Sequence, residues 1–186
     1  YSSAASDVYK RQVLGISIVV ILGGIDLSAG AVLAMAGSVS GTLVKAGIPV
    51  FICLLAGIGV GMVCSFLNAL IITKCRVPAI ITTTASNYLF RGLMAVVTGG
   101  YWVNQFPREF TQMGSGRLFG ISNIFWLSMI LLLIMSIFMK YFNTGRKIYA
   151  VGTNPQGADL SGINSDKVQL IGYTICGCLL YTSPSP

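Results

Sequence analysis

The stretch LFGISNIFWLSMILLLIMSIFM, residues 118–139, decides the fold, because its 22 residues carry no charged side chain between Arg117 and Lys140. A hydrocarbon core of roughly 30 Å requires about 20 such residues in a helix. Of the 186 residues in the whole chain, 54% are hydrophobic and only 9% are charged, against about 25% charged in soluble proteins. The sequence therefore predicts helices that cross a membrane.

Similar uncharged stretches recur along the chain and predict an all-α, polytopic transmembrane bundle of about five to six spans. The predicted spans are Val13–Ile25, Leu27–Val44, Ile48–Thr73, Pro78–Thr98, Ile121–Met139 and one that starts at Val168. Cytoplasmic loops are rich in lysine and arginine. The loops at 74–77 and 140–167 hold six such residues against three on the other side, which predicts that both loops face the cytoplasm.

Several functional classes are disfavoured by composition. The net charge of +7 comes from single basic residues at the ends of apolar runs, so no nucleic-acid partner is expected. The chain has no histidine, and its five cysteines lack metal-binding spacing, so no metal site is expected. Asp26, Glu109 and Asp159 are far apart in the sequence and offer no nucleophile and base pair, so the chain is not expected to be an enzyme.

An aspartate interrupts the apolar stretch GGIDLSAGAVLAMAG at residues 23–37. A charged aspartate at the centre of a spanning helix costs about 2.5 to 3.5 kcal/mol, so Asp26 is not expected in plain lipid. Gly23 and Gly24 are typical of a helix end, and Asp26 and Ser28 are good N-cap residues. The pattern predicts a helix, a break and a second helix, which is a discontinuous span around Asp26.

Three interpretations of Asp26 stay open at this point. A discontinuous helix places backbone dipoles near a substrate in transporters. A helix cap at the cytoplasmic interface has the same sequence pattern. Intramembrane carboxylates also serve as proton or sodium sites, so an ion-gradient-driven secondary transporter that uses Asp26 is the alternative function.

The loop at 140–167 contains a second informative pattern. Asn154 can cap a helix, Pro155 suits its first position, and Gly162 suits the residue after its end, so PQGADLS predicts a helix of two turns. Seven residues cannot sustain an isolated helix in water, because nucleation is costly. Packing against its own spans and docking into a cytoplasmic partner both explain how such a helix would be held.

Small residues at helical spacing predict close helix contacts. They lie in the second span at Gly30, Ala34 and Ser38 with Gly37 and Gly41, and in the third span at Gly57, Gly61 and Ser65. Both ends of the chain have a different character. Residues 1–12 and 178–186 are predicted to be translated sequencing adapter, which leaves 13–177 as a partial membrane domain.

Three ordered motifs resemble one family, the permease subunits of ABC importers for ribose, other simple sugars and autoinducer-2. They are GGIDLSAG at 23–30, NALIITKCRVPAIITT at 68–83 followed by FRGL and TGG, and TGRKIYAVGTNPQGADLSGI at 144–163. The chain departs from the family pattern at Gly157, where alanine is usual, and at Asp159, where a basic residue is frequent.

The resemblance implies a multi-pass permease of the bacterial inner membrane. Its implied partners are a cytoplasmic ATPase subunit that binds ATP and Mg²⁺, a periplasmic solute-binding protein, and a second permease subunit in a homo- or heterodimer. No cofactor is implied in this chain. The implied translocation path includes Asp26, Ser28, Asn68 and Arg91. The implied ATPase-coupling segment comprises Asn154, Pro155, Gln156, Gly157, Ala158, Asp159, Leu160, Ser161 and Gly162.

Overall fold

The computed structural model describes residues 15–99, 117–118 and 121–181. The helices are α1 (15–21 in its described part), α2 (Ala29–Lys45), α3 (Val50–Lys74), α4 (Ala79–Thr98), α5 (Asn123–Tyr141), α6 (Asn143–Thr153), α7 (Pro155–Leu160) and α8 (Ser165–Tyr181). A short antiparallel pair, β1 (Arg117–Leu118) with β2 (Ile121–Ser122), precedes α5. Apart from this pair, the regular structure in the described ranges is helical, as the hydropathy pattern predicts.

The helices α2, α3, α4, α5 and α8 begin within about three residues of the predicted spans. By contrast, α1 ends at 21, before the predicted Ile25. One described helix, Phe51–Lys74, is both long and apolar enough to cross a membrane, with a mean hydropathy of 2.1. The apolar segments Ala29–Lys45 and Met129–Tyr141 are shorter. The number of spans therefore stays a prediction.

The outer surface of the described helices is apolar. Large hydrophobic side chains such as Phe51, Val63, Val96 and Leu133 are exposed along α3, α4 and α5. Soluble monomers rarely leave such extended apolar surface in contact with water. The fold thus requires lipid or further protein around it.

The core lies between α3 and α8, with α2 packed beside α3 and α4 beside α2. The predicted small face of α3 is confirmed, because Gly57, Gly61 and Ser65 are buried. A Cβ atom at Gly177 of α8 would lie 2.4 Å from the carbonyl oxygen of Gly61, so the two backbones meet through glycine.

The other predicted small face is not packed in this way. Gly30 and Ala34 of α2 are exposed, and within the described ranges no helix covers them. The helix α8 continues through 178–181, and Leu180 is buried in the core. Residues 1–12 and 182–186 lie outside the described part of the chain, so the assignment of both ends to adapter sequence stays a prediction.

Candidate functional site

The chain leaves its helical path between α1 and α2, at residues 22–28. Gly23 has a φ of +76° and donates its N–H to Val20 O at 2.9 Å, while the N–H of Gly24 bonds to Val19 O at 2.9 Å. This pair of bonds with a left-handed glycine is the Schellman ending of a helix. The predicted break is therefore confirmed, and glycine is required at position 23.

Asp26 lies inside this break and is only 5% exposed. Its Oδ1 atom accepts two hydrogen bonds, from Ser28 N at 2.8 Å and from Ser28 Oγ at 2.6 Å. Ser28 occupies the N-cap position of α2, yet its side chain makes no cap bond to that helix. The aspartate thus closes a local turn on Ser28, and the serine hydroxyl is turned toward the carboxylate.

Asn68 joins the same cluster from the middle of α3. Its Nδ2 group donates to Ser28 Oγ at 2.8 Å, and its side chain is fully buried. Three of the four residues predicted for the translocation path are therefore in one hydrogen-bonded chain, Asp26 to Ser28 to Asn68. Asp26 Oδ2 and Asn68 Oδ1 are buried and have no partner among the described residues.

Polar side chains of α4 contact backbone carbonyl groups of the break. Asn87 Nδ2 donates to the carbonyl of Leu27 at 2.6 Å. Thr83 Oγ1 donates to the carbonyl of Ala79 in its own helix at 2.8 Å and lies 3.2 Å from the carbonyl oxygen of Ile25. Carbonyl groups in an unwound segment have no helical partner, so Asn87 replaces the missing bond at Leu27 and Thr83 supplies a weaker polar contact at Ile25. Sequence reasoning missed both residues.

Arg91, the fourth predicted path residue, lies one turn further along α4. Its Nε atom donates to Asn87 Oδ1 at 2.9 Å, and its side chain is exposed. The structure records no direct hydrogen bond from Arg91 to Asp26 within the described ranges. Arg91 therefore reaches the break only through Asn87. The four-residue spacing of Thr83, Asn87 and Arg91 was the available sequence signal.

A tyrosine of α8 completes the surroundings of the break. Tyr173 is buried, and a Cβ atom at Gly24 would lie 2.5 Å from its hydroxyl oxygen. Gly24 is therefore needed for the close approach of α8 to the break. The Tyr173 hydroxyl has no partner among the described residues. The site combines unwound backbone with three buried polar atoms that have no hydrogen-bond partner among the described residues.

The second predicted site, Asn154–Gly162, forms the predicted short helix. Asn154 Oδ1 accepts a hydrogen bond from Gly157 N at 2.9 Å, and Pro155 occupies the first helical position. Gly162 follows the helix with a φ of +79°. The cap, the proline and the terminal glycine are all confirmed in place.

Most of this segment faces outward. Ala158 is its buried residue and Gly157 is half-buried. The exposed residues are Asn154, Pro155, Gln156, Asp159, Leu160, Ser161 and Gly162. Leu160 is 91% exposed. The segment thus presents an apolar side chain that its own fold leaves uncovered.

Ser165, the first residue of α8, holds α7 in place. Its Oγ atom donates to Asp159 Oδ1 at 2.7 Å and lies 3.0 Å from the carbonyl oxygen of Pro155. Its N–H donates to Asp159 Oδ1 at 2.9 Å. The backbone bond and then the hydroxyl bond from Ser165 hold the pKa of Asp159 below its usual range. Packing against its own neighbours therefore stabilises this short helix.

The glycine at position 157 has a structural reason. A Cβ atom there would lie 2.9 Å from Nδ2 and 3.1 Å from Cγ of Asn154, the capping side chain. Alanine would gain about 1 kcal/mol of helix propensity but would displace a cap of about the same value. The departure from the family pattern thus accommodates the Asn154 cap.

The helix α6 was not predicted. Its sequence, NTGRKIYAVGT, contains two glycines, which favour a loop, yet the segment is helical and buries Gly145, Ile148 and Val151 on one face. At Gly145 a Cβ atom would lie 2.5 Å from Met139 Cα, so the chain turns sharply between α5 and α6. The loop at 140–167 is therefore mostly helical.

An apolar helical bundle whose unwound backbone carries a buried carboxylate is an arrangement found in membrane transport proteins. The chain belongs to the family described as branched-chain amino acid transport system / permease component, whose model matches residues 9–179. This match confirms the resemblance to ABC permeases that the three motifs indicate.

Curated relatives are permeases as well. The autoinducer 2 import system permease protein LsrC of Escherichia coli O9:H4 (strain HS) is 31% identical over 179 residues, which are 96% of this chain and 52% of that protein. LsrC of Yersinia pseudotuberculosis serotype O:3 (strain YPIII) is 33% identical over 166 residues, 89% of this chain and 47% of that protein. The chain thus spans about half the length of the curated relatives it matches. No solved structure matches the chain significantly.

Proposed function

We propose that the protein is the multi-pass permease subunit of an ATP-driven importer that moves a sugar or sugar-like solute across the bacterial inner membrane. The observation that carries the proposal is the exposed helix α7, which is joined to α6 by Asn154 alone and bonded to α8 through Ser165. Family membership supports a transport role, and the names of the relatives support autoinducer-2 or a related polar solute.

The proposal assigns α7 to a cytoplasmic ATPase subunit. Leu160 would enter an apolar pocket of that subunit, and the polar residues around it would form the rim of the contact. ATP and Mg²⁺ are bound by the ATPase, so no cofactor is assigned to this chain. A periplasmic binding protein delivers the solute, and a second permease subunit, identical or related, completes the pathway.

The break around Asp26 is assigned to the translocation path. A solute with several hydroxyl groups needs hydrogen-bond donors and acceptors at membrane depth, and Asp26 Oδ2 and Asn68 Oδ1 are buried acceptors without a partner in the described ranges. Transport requires no covalent chemistry at these groups. They replace part of the solvation that the solute loses.

Binding to the ATPase of the same transport system tests this proposal. Leu160→Glu places a charge in the contact, and we expect the affinity of the intact permease for the ATPase to fall at least about tenfold, which corresponds to about 1.4 kcal/mol. The control is Tyr149→Glu, which changes an exposed apolar residue of the same loop outside α7. Equal affinity for both variants and the unmodified protein would contradict the proposed docking.

The buried, partly unpaired carboxylate of Asp26 also supports the alternative, a secondary transporter driven by an ion gradient. Uptake by reconstituted intact protein and its partners distinguishes the two. The ABC proposal predicts that uptake requires ATP and is independent of imposed proton and sodium gradients. Uptake that follows a gradient without ATP, and is lost in Asp26→Asn, would establish the alternative.

A further inference from the structure

The C-terminal end of α6 touches the end of α1, directly before the break. A Cβ atom at Gly152 would lie 1.8 Å from the carbonyl oxygen of Ile21 and 3.3 Å from Leu22 Cα. Both contacts are with backbone atoms, so no side-chain movement can make room for a larger residue. Glycine at position 152 therefore allows α6 to lie against the first residues of the break.

The same helix leads directly into α7. The helix α6 ends at Thr153, α7 begins at Pro155, and Asn154 is the single residue between them. Only three residues separate Gly152 from Pro155, the first residue of α7, so a displacement of α7 also displaces Gly152. Gly152 in turn contacts Ile21, which lies two residues before the left-handed Gly23.

The helix α8 provides a second contact to the same place. Its first residue, Ser165, bonds to α7. Further along α8, a Cβ atom at Gly172 would lie 2.3 Å from Leu22 Cδ1. Here the neighbouring atom is the end of a flexible side chain, so this contact is more tolerant than the one at Gly152.

We infer that Gly152 is a positioning residue that mechanically links the short helix α7 to the break around Asp26. The role of this link in transport rests on the proposed function, in which α7 is the segment that binds the ATPase. The link itself is a property of backbone packing. Movement of α7 changes the accessibility of the break, and a side chain at position 152 uncouples the two.

Cysteine labelling at the break tests this inference in the intact gene product. Leu27, an exposed residue of the break, is changed to cysteine in a background with Cys75→Ser and Cys178→Ser, and the rate of maleimide labelling is measured. Asn154→Ala removes the cap of α7 and is expected to change this rate about fivefold, the factor that loss of one cap produces in a local equilibrium. With Gly152→Ala in addition, the change is expected to fall below about twofold by the same reasoning.

The matched control is Gly59→Ala, because a Cβ atom at that helical glycine meets nothing within 4 Å. It is expected to leave the response to Asn154→Ala unchanged. If Gly152→Ala behaves like Gly59→Ala, the inference is overturned. Should Gly152→Ala fail to fold, two glycines inserted after Thr153 provide the second test. They are expected to abolish the response, and a response that survives would overturn the link.

The assay uses neither the ATPase nor a solute. A negative labelling result would therefore leave the proposed transport function untouched. Conversely, absence of ATPase binding at α7 would overturn the proposed function and leave the mechanical link intact.

Discussion

Replacing Ser28 with alanine removes the hydroxyl that joins the break to α3. This hydroxyl donates to Asp26 Oδ1 at 2.6 Å and accepts from Asn68 Nδ2 at 2.8 Å. A hydrogen bond contributes about 0.5 to 1.5 kcal/mol, and a buried polar group that loses its partner, as Asn68 Nδ2 does here, costs about 1 to 3 kcal/mol. We therefore expect the free energy of unfolding to fall by about 3 kcal/mol on these values.

Reversible unfolding of the intact gene product in mixed detergent micelles measures this loss. The matched control is Ser38→Ala in the same helix α2, where the hydroxyl bonds only to the carbonyl of Ala34 one turn earlier, at 2.8 Å. That change is expected to alter the free energy of unfolding by no more than about 0.5 kcal/mol.

A double-mutant cycle with Asn68→Ala examines the coupling directly. Both single changes break the same Ser28 to Asn68 bond. The loss of unfolding free energy in the double variant should therefore be smaller than the sum of the two single losses, by about 1 kcal/mol or more. Additivity within about 0.5 kcal/mol would refute the shared bond. A loss in Ser28→Ala no greater than in Ser38→Ala would refute the role of the hydroxyl.

Two further predictions concern packing and pH. Gly177→Ala should lower the free energy of unfolding by about 1 to 3 kcal/mol, because the added methyl group overpacks the contact with Gly61, and Gly59→Ala, measured in the same micelles, should not lower it. Hydrogen bonds from Ser165 depress the pKa of Asp159 in the folded protein. These bonds therefore stabilise α7 fully above the unfolded pKa of about 3.9, and the stabilisation is lost as pH falls through the lower folded pKa. Hydrogen exchange at 155–165 should therefore accelerate, relative to its intrinsic rate, only below about pH 4, and identical profiles for the protein and Asp159→Asn would contradict this assignment.

Local signals predicted much of the fold. Gly23 and Gly24 marked the end of α1, and Asn154, Pro155 and Gly162 marked both ends of α7, because such residues satisfy helix ends wherever they occur. The long helices followed from hydropathy alone. The helix α6 was missed because its low hydrophobicity and two glycines obscure the helical period.

The candidate site was only partly predictable. Asp26 and Ser28 are adjacent in sequence, and Asn68 came from a family motif rather than from physics. Thr83 and Asn87 contribute from another helix, and Tyr173 from yet another, so their proximity to the break depends on how the helices pack. A polar residue in an apolar segment indicates that it has a hydrogen-bond partner. The amino-acid sequence alone does not identify which backbone group that partner is.

The bonds that α4 makes to the break have a consequence for biosynthesis. Thr83 and Asn87 lie 58 and 60 residues after the carbonyl groups of Ile25 and Leu27 that they contact. The ribosome therefore makes the interrupted segment well before the donors that complete it. Until α4 packs against this segment, the carbonyls of Ile25 and Leu27 need other hydrogen-bond donors, so the segment reaches its final form late in folding.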